Sequence, residues 1–384
     1  MLADFDTIID RTPDNVARYA EVVARIAREE ELLPFDRTAV AKLVEHGARI
    51  AARSSKLTAR FGRIADIARE ATYVARQDDV EAVTGEHVTR AVQRTKGRAD
   101  LPARRFREAM RRGSVNVRTS GEVVGQVNGL AVLQAGPLTY GVPSRITASI
   151  GAGSAGIINI EVQSSLSGAI HTKGFHILGG LLRHLLQTDH PLAFSASLAF
   201  EQTYGSIDGD SASCAEICCL LSELTGLPIR QGIAITGAID QHGHVQAIGG
   251  VNEKIEGFFD ACHDGGLTGD QGVVVPRANA GDLMLRPDVV DACAAGTFRV
   301  WAVECVHDAL EVLTGFPAGR RDTDGEYPEG TLLHLAVLKA REYWLKTTQR
   351  PRSSQNEDET EENGSEGEAP EPAVDPEMPE GGPA

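Results

Sequence analysis

The sequence predicts a mixed α/β (α+β) domain preceded by a small all-α bundle. Three observations carry this. Residues 14–98 keep apolar side chains at helical spacing almost throughout. From Val115 the period changes to short β-branched runs broken by Gly, Asn and Pro. From about residue 173 helices alternate with strands, the pattern of a sheet with helices packed on it. At 384 residues the chain can hold two or three domains, each with its own core.

In the bundle, Val16, Tyr19, Val22, Val23 and Ile26 share a helix face, as do Val40, Leu43, Val44 and Ile50. Ile64, Ile67, Ala68, Ala71 and Val74 form a third such set. Asp36 and Thr84 stand where N-caps belong, since their short side-chain oxygens can accept from the first unpaired N–H groups of a helix. Glu86 and His87 open the last helix of the bundle, and the arginines of its polar faces read as a solvated surface. A basic stretch, 104–113, is expected to be a connecting helix ending at Gly113. Strands are expected at 123–127, 130–133, 144–150 and 157–162. A helix at 173–188, a strand at 193–199, a helix at 211–225 and a strand at 231–236 follow. Next come a short strand at 245–248, a helix at 252–263 and a strand at 272–275. A strand at 297–303 and a helix at 306–314, closed by Gly315, complete the domain. One more helix is expected near 329–348, with Leu332, Leu335, Leu338 and Trp344 on a face. The divisions expected are therefore 1–98, 99–113, 114–318, a helical extension 319–350, and a tail 351–384.

The formal net charge of −16 argues against a general nucleic-acid binder. The tail holds eleven Asp/Glu and one Arg, so it carries most of that charge. It lacks apolar residues to offset its ordering entropy and is expected to be disordered. The six cysteines show no paired framework, and no signal peptide or membrane-length apolar run is visible. A reducing, cytoplasmic compartment is the expectation, with no metal site.

Chemistry concentrates in two places. The run Asp208-Gly209-Asp210-Ser211-Ala212-Ser213 puts a serine on a tight glycine turn at a helix start. The unpaired N–H groups of that first turn point outward and favour negative charge, so they could hold the oxyanion of a tetrahedral intermediate. An isolated serine of this kind is ordinarily just a cap, and Ser213 with Glu216 fits a capping box. The second place is Gly249-Gly250-Val251-Asn252-Glu253-Lys254. Asn252 reads as an N-cap, which puts Lys254 in the first turn, against the helix dipole and among Val251, Ile255 and Phe258. Dipole and desolvation both lower a lysine pKa, as a general base requires.

Taken together, the block from Asp208 to Lys254 resembles the proteolytic domain of the Lon protease family, in its bacterial Lon-like branch near the archaeal type. The segments 122–132, 143–148, 194–198, 226–234 and 249–259 resemble it as well, and the likeness runs from about residue 3 to 330. The resemblance implies a serine endopeptidase with a Ser–Lys dyad: Ser211 the nucleophile, Lys254 the base and later the acid. Thr236 matches the threonine that orients the lysine, and Asp208 the acidic residue that bonds the lysine or blocks the resting site. The oxyanion falls to N–H groups near Asp210 and Ala212. Position 216 is Glu where many Lon sequences are apolar. The bundle resembles the lid of an AAA+ ATPase, with Arg60 or Arg63 where a sensor arginine would reach nucleotide. No G-x-x-x-x-G-K-[ST] loop and no apolar run ending in Asp-Glu occur, so ATP and magnesium are expected only through an ATPase region or partner outside these residues. The segment from Ala3 resembles the end of that ATPase core. The resemblance further implies a homohexamer acting on unfolded or damaged proteins in protein quality control.

Other patterns compete. Gly151-x-Gly153-x-x-Gly156 satisfies a dinucleotide fingerprint but leads into a strand, so it reads as a hairpin turn. Cys214, Cys218 and Cys219 share a helix without a second ligand cluster and read as small buried residues. His171, His176, His242 or His244 could serve as base of a Ser–His–Asp hydrolase. A different class of reading is a non-catalytic or partner-dependent assembly piece of a Lon-like complex.

Overall fold

Apolar residues recurring every three to four positions draw the first hundred residues around one core. The computed structural model describes residues 4–135 and 138–348; the acidic tail and Ala3 lie outside them. A short antiparallel pair, β1 (Ile8–Asp10) and β2 (Lys56–Thr58), flanks four helices: α1 (Pro13–Glu29), α2 (Arg37–Ala51), α3 (Phe61–Gln77) and α4 (Gly85–Ala99). Tyr19, Val23, Leu43, Ile64, Ala71 and Val88 are buried between them. Asp36 caps α2 by accepting from the Ala39 N–H at 2.8 Å, and the Thr84 N–H donates to His87 Nδ1 at 2.9 Å at the head of α4. The connecting helix α5 (Leu101–Arg111) follows.

The second part is built on a seven-stranded mixed sheet. Its chain order is β3 (Glu122–Val123), β4 (Gln126–Ala135), β5 (Leu138–Ala152), β6 (Gly156–Asn159), α6 (Ile160–Gln163), α7 (Ala169–Leu186) and β7 (Phe194–Phe200). Then come α8 (Ser213–Thr225), β8 (Ile229–Arg230), β9 (Ile233–Ile235), β10 (Ala238–Ile239), β11 (Val245–Gln246) and α9 (Val251–Gly265). The rest is β12 (Gly272–Pro276), a 3-10 turn (Arg277–Asp282), α10 (Pro287–Ala294), β13 (Arg299–Val303), α11 (Val306–Thr314) and α12 (Leu332–Thr348). The large sheet runs β13-β12-β9-β4-β5-β7-β6, with β13, β12, β9 and β4 parallel. Two small pairs, β3–β8 and β10–β11, lie outside it.

Both faces of the sheet are covered, which is why its central strands read as unbroken apolar runs. In β12, Val274 packs on one side with Ile217, Leu221 and Leu310, while Val273 and Val275 pack on the other with Ile255, Phe258 and Val289. Helix α8 lies deep in the first face; Cys214, Cys218 and Cys219 are buried there and all six cysteines are unpaired. Leu332, Leu333, Ala336 and Ala340 of α12 join the same core, so the helical extension packs as part of this domain. No helix among the described residues is long and apolar enough to cross a membrane.

Four expectations need correction. The strand expected at 157–162 stops at Asn159, because the Asn159 side chain accepts the Val162 N–H at 3.0 Å and starts α6. The turn after Gly151 is not a hairpin: β5 and β6 each pair with β7, so the chain passes over the end of β7. Helix α8 starts at Ser213, two residues beyond Ser211. Helix α9 starts at Val251 after Gly250, and Asn252 is not its cap.

Candidate active site

Gly209, at φ +92°, turns the chain between Asp208 and Asp210 in a conformation costly for any residue with a Cβ. Ser211 and Ala212 then continue as a turn because tertiary bonds hold them out of the helix. The Ser211 carbonyl accepts from the Gly237 N–H at 2.8 Å, and the Gly237 carbonyl accepts from the Cys214 N–H at 3.1 Å. Ser213 is no capping-box serine: its hydroxyl donates to the Asp210 carbonyl at 2.8 Å and accepts from the Ile239 N–H at 3.1 Å. Ser211 itself is half-buried at the head of α8.

Lys254 arrives from the opposite face of the sheet, in the first turn of α9. Its Nζ donates to Ser211 Oγ at 2.8 Å and to Thr236 Oγ1 at 3.0 Å. The Thr236 hydroxyl donates in turn to the Ser211 carbonyl at 3.2 Å, so it presents a lone pair to the amine. Lys254 is 2% exposed, and burial lowers its pKa to about 8, against the pull of the Asp210 charge. No carboxylate among the described residues lies within ion-pair distance of its amine. Asn252, the expected cap, is a buried brace instead: Nδ2 donates to the Asp282 carbonyl at 3.0 Å and Oδ1 accepts from the Met284 N–H at 2.6 Å.

Asp208 departs from its expected role. Its carboxylate accepts from the Ile170 and His171 N–H groups at the start of α7, at 3.1 and 3.3 Å, rather than bonding the lysine. The Gly209 N–H, followed by that of His171, holds its pKa below the ordinary carboxylate range. A helix N-terminus outcompetes an amine that is already bonded to two hydroxyls. The histidine alternatives are placed elsewhere. His171 is 1% exposed and turned toward Asn159 and Glu216. His176 lines a cleft of about 590 Å³ between α7 and β6. His244 pairs with Asp240 at 2.9 Å, and His242 lies edge-on to His184.

Two family models match parts of the chain. The archaeal LonB AAA+ ATPase lid domain matches residues 34–98, and the Lon protease (S16) C-terminal proteolytic domain matches residues 203–314. A putative Lon protease homolog of Escherichia coli (strain K12) is 42% identical over 249 residues, 64% of this chain and 42% of that protein. The corresponding Haemophilus influenzae protein is 47% identical over 219 residues, 56% of this chain and 36% of its own length. An archaeal Lon protease of Archaeoglobus fulgidus is 28% identical over 309 residues, 80% of this chain and 46% of the relative. The chain thus carries a Lon-type lid domain followed by a Lon-type proteolytic domain. It spans less than half the length of these relatives.

Within the Lon lid, Arg60 directly precedes α3 and Arg63 lies in its first turn; both side chains are exposed. No group of three or more His, Cys, Asp or Glu among the described residues could hold a metal ion. The motif reading missed one feature of the Lon domain, a buried polar group formed by Asn159, Glu161, His171 and Glu216. Its one sequence signal is an acid at position 216, inside the apolar run of α8.

Proposed function

We propose that this Lon-type chain is a serine endopeptidase working through a Ser211–Lys254 dyad. The observation that carries the reading is the buried lysine amine 2.8 Å from Ser211 Oγ. Its pKa near 8 leaves about a tenth of the amine neutral at pH 7, and that fraction can take the serine proton. Ser211 Oγ attacks the scissile carbonyl, and the N–H groups of Ser211 and Ala212, which precede the first helical bonds of α8, receive the oxyanion beside Asp210. Lys254 then protonates the leaving amine, and the acyl-enzyme is hydrolysed with Lys254 again as base. Thr236 holds the amine on the serine throughout.

Extended, unfolded polypeptide fits as substrate for a Lon-type proteolytic domain, in a closed ring of identical subunits, the homohexamer. Coupling to ATP and magnesium would come from an ATPase region beyond these residues. The test is hydrolysis of casein or a fluorogenic peptide by the purified chain, with Ser211→Ala and Lys254→Ala alongside. Loss in both supports the dyad. Undiminished hydrolysis by Ser211→Ala would falsify the dyad, whereas no hydrolysis by the unaltered chain would favour the assembly role.

A further inference from the structure

Directly behind the nucleophile turn lies a group of buried polar side chains that the dyad chemistry does not use. Asn159, Glu161, His171 and Glu216 are each less than 5% exposed. They come from four places: the end of β6, α6, α7 and α8. Asn159 is fixed by accepting the Val162 N–H. Its amide nitrogen then reaches Glu216 Oε1 at 3.3 Å and His171 Nε2 at 3.4 Å. An amide donating to Nε2 requires that nitrogen to be the acceptor, which leaves the ring proton on Nδ1. The Gly209 carbonyl faces the ring and favours that proton. Phe200 closes the ring in edge-on at 5.4 Å. The main-chain N–H of His171 meanwhile holds Asp208 at 3.3 Å. His171 thus bonds Asp208 through its main chain and sets its ring beside Gly209, immediately before Asp210 and Ser211.

Resting on the Ser211–Lys254 reading, we propose that His171 is a positioning residue for the nucleophile turn, braced from behind by the Asn159–Glu216 pair. The brace depends on the charge of the group. Glu216 Oε2 and Glu161 Oε2 have no partner among the described residues, and no Lys or Arg pairs with Glu216. Burial without a partnering cation, then Glu161, pushes Glu216 up to about 8. The titratable groups facing it are Glu161 from α6, His171 from α7 and Cys219 on its own helix. Burial keeps His171 neutral, with Glu161, Gly209 and Asp208 opposing. When Glu216 ionises, its negative charge, 3.8 Å from His171 Nε2, draws the ring proton toward that nitrogen. The ring then releases the Gly209 carbonyl, and the turn carrying Ser211 loosens. Hydrolysis therefore falls on the alkaline side, while the Lys254 amine sets the rise on the acidic side.

The experiment uses the full chain with a fluorogenic peptide from pH 6 to 10, together with Ser211→Ala, His171→Ala, His171→Gln and Glu216→Gln. For His171→Ala, kcat is expected to drop about tenfold or more with KM changed less than about twofold, and His171→Gln to recover part of it. Glu216→Gln, a neutral isostere, is expected to keep the acidic limb and lose the alkaline fall. Labelling of Ser211 by a fluorophosphonate should slow in parallel with kcat. Wild-type kcat and labelling in His171→Ala, or a Glu216→Gln profile that overlays the wild type, overturns the inference. If Ser211→Ala is dead while His171→Ala is fully active, the positioning role alone fails; if Ser211→Ala still hydrolyses, the underlying dyad fails instead.

Discussion

Lys254 is the residue on which chemistry and stability collide. Its folded pKa near 8, against the ordinary 10.5, corresponds to about 3 kcal/mol of burial cost. The sign follows from proton counts. Below about pH 8 both folded and unfolded chains carry the ammonium, and the folded one bears the full cost. Between about pH 8 and 10.5 the folded chain has lost its proton while the unfolded chain keeps it, so stability is regained as pH rises. Lys254→Met should therefore abolish hydrolysis yet raise Tm at pH 7, with the gain shrinking by pH 10. Calorimetry at the two pH values checks this, and an equal Tm shift at both would mean that the amine is not desolvated. The same pKa sets the rising limb of kcat/KM near pH 8 in the wild type; a profile without that rise from pH 6 to 8 would remove Lys254 as the base. Thr236 is the lesser member of the set. Thr236→Val keeps the shape but removes the lone pair offered to Nζ, and should lower kcat by about tenfold with little change in fold.

At the scale of elements, what matters is how α9 is seated, because it carries the lysine. It rests backbone to backbone on β5: a Cβ at Gly257 would stand 2.1 Å from the Gly141 carbonyl oxygen, and one at Gly141 would stand 2.0 Å from that of Glu253. Gly257→Ala must lift the helix, with a cost of about 1–3 kcal/mol or more. It should also lower kcat by drawing Lys254 off Ser211; unchanged turnover in a variant with reduced Tm would show that the lysine is placed independently of this contact. These seats mark the limit of what pattern reading reaches. The strand at 272–275 and the caps at Asp36 and Thr84 were legible, since strand pattern and cap chemistry are local. The pairing of Ser211 with Lys254 came from the Lon resemblance of the block around them, since neither residue alone marks a site. The true starts of α8 and α9 were not legible, because the Ser211–Gly237 and Asn252–Met284 bonds decide them, and both partners are remote in sequence. Helix α6 was missed for a different reason: it is a single turn created by one capping asparagine inside an otherwise strand-like run. The buried Asn159–Glu216 group left one trace, the acid at position 216, because its members come from four elements.

At the scale of the molecule, the lid grips the structure that holds the lysine in place. Arg49 of α2 donates to Glu256 Oε2 at 2.7 Å and to the Met284 carbonyl at 2.7 Å, and the Ser54 hydroxyl donates to the Gly281 carbonyl at 2.6 Å. Segment 281–286 is in turn bonded to α9 on both sides of Lys254, through Asn252 and through Glu256, whose Oε1 accepts the Arg286 N–H at 2.9 Å. The lid therefore reaches the helix of Lys254 both directly, through Arg49 and Glu256, and through one intervening strap, rather than through the sheet. The Arg49–Glu256 pair is largely buried, with side chains 19% and 8% exposed, so removing only the cation strands a carboxylate and should cost about 3 kcal/mol or more. Arg49→Met should then lower Tm and lower kcat together, because the strap and the first turns of α9 relax with it. Adding Glu256→Leu removes the stranded charge and should restore most of the Tm but not the kcat, since the mechanical link to α9 is still missing. If the double variant recovers both, the contact is only a weld between the two domains; if Tm alone recovers, the lid sets the position of Lys254.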